Sequence, residues 1–291
     1  MEPELTGLIV HLTPLLARFC QGDYGIALGG AHAKGMDDRA SDLDLYVFAR
    51  QVLPCAQRTQ LTEAYDPEIQ SIISWGEDAP FIQGGTDFVY QGQKVECWLR
   101  NIDYIDEIIA QCQAGSVTQT IVTWTVMGFY NHCALSDLRN MASVDDPQGV
   151  LAHWKTLVSD YPPRLREAIL TRHMNAAKFW PQNFHYLSAI KRGDILYVQG
   201  IVNQVAHNLF QVLFALNQVY FPGDKKLDLA IDHLPLKPAD FTARVKRIVA
   251  PQVTADKAFL EWQCEELNAL VNEVEALMNG RRGLSARAAQ E

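Results

Sequence analysis

The sequence predicts an α+β fold, a small mixed sheet with flanking helices followed by an all-α helical bundle. Three observations carry this expectation. Short apolar runs broken by glycine turns crowd the first hundred residues. A hairpin pattern is written around Gly92. In the second half, apolar residues recur at spacings of three and four, the helical period. The expected division is a sheet domain over 1–130, a helical domain over 131–279 and a flexible tail over 280–291.

Leu5, Leu8, Ile9, Leu12, Leu15, Leu16 and Phe19 predict an amphipathic helix, with a kink or early boundary at Pro14. Ile26 to Leu28 read as a buried strand broken by Gly29-Gly30, and Leu43 to Phe48 as a second. A polar helix is expected over 54–65. Ile69, Ile72, Ile73 and Trp75 fit a strand or a short helix, with loops at Gly76, Pro80 and Gly84-Gly85. Asp87–Tyr90 and Lys94–Leu99 form the hairpin. Asn101 or Asp103 then caps a helix reaching Cys112. Residues 117–132 read as a bridging helix. Further helices are expected over 147–159, 162–191, 193–220, 239–249 and 255–279, with 193–220 central to the bundle.

The chain has 291 residues, 48% hydrophobic and 20% charged, an ordinary balance for a globular protein. No apolar run approaches the roughly 20 residues of a membrane span, and Met1-Glu2-Pro3-Glu4 lacks a signal peptide's positive region. Six cysteines are scattered without a Cys-x-x-Cys pair. They read as reduced thiols of a cytoplasmic protein and suggest no zinc site. Residues 1–130 hold 7 Lys+Arg against 17 Asp+Glu, a net charge of −10; the remainder is +1. That balance argues against gripping a long nucleic acid and favours a small or cationic partner.

Residues 24–48 carry the most chemistry. Asp42 and Asp44 are two apart in a strand, so both carboxylates share a face. Like charges that close repel unless a cation lies between them. The stretch therefore reads as a divalent-metal pair beside a phosphate-binding glycine turn.

Gly29-Gly30, then Asp42-Leu43-Asp44-Leu45, resembles the signature of the DNA polymerase β-like nucleotidyltransferases. More narrowly it resembles the branch containing aminoglycoside and lincosamide adenylyltransferases, where Gly-Gly-Ser-x-Ala-x-Gly runs into Ser-Asp-x-Asp-Leu. Ala33, Gly35, Ser41, Asp42, Asp44 and Leu45 match. Ala31 departs, standing where a serine hydroxyl helps hold the triphosphate. The resemblance covers 24–48 and, less fully, 86–99.

The resemblance implies an N-terminal nucleotidyltransferase domain and in-line transfer at an α-phosphate, with two Mg²⁺ ions about 3.5–4 Å apart and ATP or another nucleoside triphosphate as substrate. Asp42 and Asp44 are the expected ligands. Glu96, in a hydrophobic–acid–hydrophobic context on a later strand, is the expected third ligand or base, with Asp87 as runner-up. Gly29, Gly30 and Ala31 would offer backbone N–H groups to phosphate. Lys34 is a candidate phosphate contact and Ser41 a candidate orienter of the ligand carboxylates. Further cations are sought in the helical half, at Arg139, Lys191, Arg192, Lys225 and Lys226. Trp75, Trp98, Trp154 and Trp180 read first as packing.

The resulting expectation is AMP transfer onto a hydroxyl of a small molecule, aminoglycoside-like antibiotics included. The alternatives are AMP transfer onto a protein, as in antitoxin-type members, and a nucleotide-binding module without catalysis. The sequence is silent on acceptor, nucleotide base and oligomeric state.

Overall fold

The computed structural model describes residues 3–35, 41–76, 82–250 and 256–288. The motif's residues 36–40, the loop expected at Pro80 and the last tail residues, 289–291, lie outside it. The elements in chain order are α1 (Pro3–Ala17), β1 (Cys20–Leu28), α2 (Gly30–Lys34), β2 (Leu43–Val52), α3 (Cys55–Tyr65), β3 (Ile69–Trp75), β4 (Gly84–Tyr90), β5 (Gln93–Asn101) and α4 (Ile102–Ala114). They continue with β6 (Gln119–Thr120), β7 (Phe129–Tyr130), α5 (Cys133–Asn140), β8 (Ala142–Asp145) and α6 (Val150–Leu157). The helices α7 (Pro163–Phe179), α8 (Phe184–Arg192), α9 (Ile195–Leu216), α10 (Leu227–Asp232), α11 (Phe241–Val249) and α12 (Lys257–Ala288) complete the chain. The fold is α+β, with a mixed six-stranded sheet and a helical remainder.

The sheet runs β3-β4-β5-β2-β1-β8. β2 and β5 are parallel, and every other pair is antiparallel. The hairpin turns through Gln91 and Gly92, both at positive φ (50° and 80°). That is what a two-residue turn matched to strand twist demands, and Gly92 meets it without Cβ strain. Alternation sorts β2 cleanly. Leu43, Leu45 and Val47 pack with Val95, Cys97 and Leu99 against Ile9, Leu12, Leu15, Leu16 and Phe19 of the α1 segment. Asp44, Tyr46 and Phe48 point to the opposite face. Trp154 of α6 packs edge-on to Phe48 at 5.1 Å, so that end of the second face is covered.

Pro14 is exposed and α1 continues past it to Ala17; the lost hydrogen bond falls on the solvent side. Asn101 is the cap of α4, accepting the Tyr104 N–H at 3.0 Å. The Ile69–Trp75 stretch is a strand.

Four expectations are corrected. Residues 117–132 are not a helix: they carry the β6–β7 ribbon, in keeping with Thr118, Thr120, Val122, Thr123, Thr125 and Val126, which favour extended backbone. The 162–191 helix is two helices parted at Pro181, with Asn183 capping α8 through the His185 N–H at 2.9 Å. The tail is helical through Ala288. Finally, contacts do not divide the chain at residue 130. One compact unit comprises 1–111 with 134–160, and the other 112–133 with 161–291. β8 explains the difference: it pairs with β1 at the sheet edge, drawing a segment of the expected helical domain into the sheet unit.

In the helical unit α9 is central, with Val202, Val205, Leu209, Val212, Leu213 and Leu216 buried along its length. Among the described residues no helix is long and apolar enough to cross a membrane.

Candidate active site

The second face of the sheet carries a row of acids. β2 and β5 lie side by side with Asp44 opposite Glu96 and Tyr46 opposite Trp98, and parallel partners face the same way. Asp42 precedes β2 by one residue and Asp87 lies on β4, beside β5. The strand register alone thus puts Asp44 and Glu96 together.

The glycine turn is built against this row. A Cβ placed on Gly30 would overlap the Asp44 carboxylate, and one on Gly29 would overlap the Tyr46 ring. Gly30 also has φ +57°, a conformation that costs an L-residue about 1–2 kcal/mol. The Gly30 N–H donates to the Tyr46 hydroxyl at 3.0 Å and the Gly29 N–H to the Asp44 carbonyl at 2.9 Å. These two donors, expected for phosphate, therefore lock the turn to β2. Ala31 follows them in the first turn of α2.

Asp44 bears the cost of the arrangement. Burial raises its pKa to about 6, and the negative charges of Glu96, Asp137 and Asp42 add to the rise against a lowering by Arg100. Asp87 is also raised, by burial first; it accepts the Trp75 indole N–H at 2.9 Å. Trp75 and Trp98 meet edge-on at 5.4 Å.

Among the described residues three cations touch this region, and sequence reasoning singled out only one. Lys94 Nζ lies 2.9 Å from Asp42 Oδ2 and 2.6 Å from Glu96 Oε1. Lys34 is held by Asp137 of α5 at 3.3 Å, not turned free toward a ligand. Arg100 is buried, pairs with Asp137 at 3.0 Å and stacks 3.9 Å above the Tyr46 ring. Burial pushes the Asp137 carboxyl up, but Arg100 and Lys34 outweigh it and leave it below the usual range. Lys94 and Arg100 were legible in principle, since Lys94, Glu96, Trp98 and Arg100 alternate onto one face. Asp137 was not, because only the tertiary fold brings α5 to the sheet.

The other expected residues are placed as follows. The Ser41 carbonyl accepts the Gln93 side-chain amide at 3.1 Å. Arg139 is exposed on α5. Lys191 and Arg192 end α8, whose cap is Gly193, and the next residue, Asp194, caps α9. Their motif is thus a helix stop and restart. Lys225 and Lys226 precede α10, where Asp224 accepts the Val126 N–H at 2.8 Å. Lys191, Arg192, Lys225 and Lys226 belong to the helical unit and the acid row to the sheet unit. Trp154 is core; Trp180 donates to Gln204 at 2.9 Å.

The donor set fits a hard divalent cation in its chemistry, since all the donors are carboxylate oxygens and a lysine ammonium already stands between two of them. As the side chains lie, no group of three or more His, Cys, Asp or Glu among the described residues is arranged to hold a metal. Asp44 and Glu96 share a face, and Lys94 bridges Asp42 and Glu96.

Comparison with known proteins adds little to this geometry. A family model described as a domain of unknown function, DUF4037, matches residues 130–227. Among solved structures the chain is similar to a nucleotidyltransferase-like protein from Exiguobacterium sibiricum 255-15, at 11% identity and a TM-score of 0.39, covering 93% of this chain and 72% of that one. No curated protein matches the chain.

Proposed function

We propose that the sheet unit is a nucleotidyltransferase that moves a nucleotidyl group, AMP in the leading case, from a nucleoside triphosphate to a hydroxyl of a small acceptor. The observation that carries this reading is the register of Asp44 beside Glu96, with a glycine turn whose Cα lies against the Asp44 carboxylate. A fold gains nothing from crowding acids around a partly buried aspartate, and such perturbed groups mark functional sites. The motif resemblance at residues 29–45 supplies the reaction class.

The chain's own groups divide the work. Asp42, Asp44 and Glu96 would hold Mg²⁺, which when bound neutralises triphosphate charge and favours the acceptor alkoxide. Glu96 would serve as the third ligand or take the acceptor's proton. Tyr46 fixes the turn through Gly30, and Arg100 and Asp137 fix Tyr46 and Lys34 in turn. Lys34, at the end of α2 and paired with Asp137, would have to leave that partner to reach a phosphate.

A second reading, a nucleotide-binding module without turnover, draws on two features: Ala31 lacks the hydroxyl of the resembled motif, and the Gly29 and Gly30 donors are engaged within the chain. Incubation with labelled ATP, Mg²⁺ and a panel of hydroxylated acceptors, aminoglycosides among them, separates the two. Pyrophosphate release that Asp44→Ala abolishes supports the enzyme. Magnesium-dependent ATP binding without release supports the module, and absence of both refutes the site.

A further inference from the structure

Lys94 is the cation on the acid row, and the proposed transfer gives it no part. It is about half exposed (53%), and its ammonium spans Asp42 and Glu96 at 2.9 and 2.6 Å. It reaches them because it alternates onto the face of Glu96, two residues on, and because Leu43, next to Asp42, pairs with Val95, next to Lys94. Asp44 lies opposite Glu96 and, among the described residues, has no ion-paired lysine or arginine. The chain therefore supplies a direct counter-ion to Asp42 and Glu96 and leaves Asp44 only the more distant charge of Arg100.

We propose that Lys94 is a displaceable counter-ion that makes the acid row accept a divalent cation together with a triphosphate in preference to a bare cation; this rests on the nucleotidyltransferase reading. An ammonium and a divalent ion compete for the same carboxylate oxygens. A bare cation that takes Asp42 and Glu96 strips Lys94 of both partners. A cation arriving on a triphosphate brings phosphate oxygens with it, and the released ammonium has new acceptors within reach of its flexible four-carbon stem. Cation and triphosphate then raise one another's affinity, necessarily by the same factor. Lys94 is thus a specificity-determining residue that acts with opposite sign on the two ligands.

That sign difference is the test. Mn²⁺ binding is followed by electron paramagnetic resonance, alone and as a preformed complex with a non-hydrolysable triphosphate, for the wild type, Lys94→Met and Lys94→Arg. Lys94→Met keeps the length of the side chain and removes the charge. It is expected to tighten binding of Mn²⁺ alone by about fivefold or more, the low end of typical coupling, and to weaken binding of the complex. Lys94→Arg keeps the charge and should track the wild type in both. Any other pair of signs for Lys94→Met, including no change in either, overturns the inference and leaves the site reading standing. Failure of every variant to bind either ligand refutes the site reading and the inference together.

Discussion

Replacing Asp44 by asparagine should make the protein more stable at neutral pH, and only there. The folded chain raises the Asp44 pKa from 3.8 to about 6. At 1.36 kcal/mol per pH unit this gap is worth about 3 kcal/mol. Folded Asp44 holds its proton more tightly than the unfolded chain does, so the folded state binds the extra proton between about pH 4 and pH 6. Stability therefore falls as pH rises through that window and levels off above it. The amide of the asparagine variant has no proton to lose in this range. The stability difference in favour of Asp44→Asn should grow from near zero at pH 4 to about 1–3 kcal/mol at pH 7.5, the lower bound allowing for solvent screening of a partly exposed group. Urea unfolding followed by tryptophan fluorescence across pH 4–8 measures it, and millimolar Mn²⁺ should narrow the gap at pH 7.5. A difference that is flat with pH, or an asparagine variant less stable at pH 7.5, would refute the electrostatic account of the acid row.

Gly30→Ala should destabilise the sheet unit by at least the 1–2 kcal/mol of its left-handed backbone, with further loss from overlap with Asp44; unfolding indistinguishable from wild type would remove the turn from the site. Asp137→Ala leaves Arg100 and Lys34 without their shared carboxylate and should cost about 3–5 kcal/mol, whereas Arg100→Met, which leaves Asp137 paired with Lys34, should cost less; the reverse order in chemical denaturation counts against the triad. His132 and His173 of the helical unit are buried, with pKa values lowered by burial to about 4 and about 3. They stay neutral in the folded state and take up protons on unfolding, so their contribution is intact above pH 6.5 and drains as pH falls below it. Each should lose about 2 kcal/mol by pH 5; a pH slope of unfolding between 4.5 and 6 below one proton in total, read in the Asp44→Asn background that removes the opposing term, would contradict this.

The sheet unit was largely readable because alternation and turn chemistry are local. Leu43, Leu45 and Val47 against Asp44 and Tyr46 state which side of β2 is core, and Gly92 marks the hairpin. Glu96 was singled out by the family resemblance, through its hydrophobic–acid–hydrophobic context and its order in the chain, and the register sets it beside Asp44. What stayed hidden was tertiary. Nothing around Ala142–Asp145 announces that four residues will close the sheet edge beside β1, and nothing in Leu135–Leu138 announces that Asp137 will meet Arg100. Lys94 differs: its place on the strand, two residues before Glu96, already put it on the face of the acids. Cations were sought in the helical half, while Arg100 sits inside the sheet unit itself.

The passage of the chain between the compact units has a consequence for synthesis. It crosses from one to the other after residues 111, 133 and 160. Neither unit is a continuous stretch, so no simple truncation excises the acid row in a complete sheet. A fragment ending at residue 130 would lack β8 and leave the flank of β1 from Ile26 to Leu28 as an open edge, an invitation to intermolecular strand pairing. It would also lack Asp137 beneath Arg100 and Trp154 beneath Phe48. During translation the sheet stays unfinished until residue 145 has emerged, by which time the first segment of the helical unit is already outside the ribosome. The sheet unit can therefore close only once its second segment has followed the first stretch of the helical unit, and chaperone dependence should be sharpest for nascent chains between residues 101 and 145.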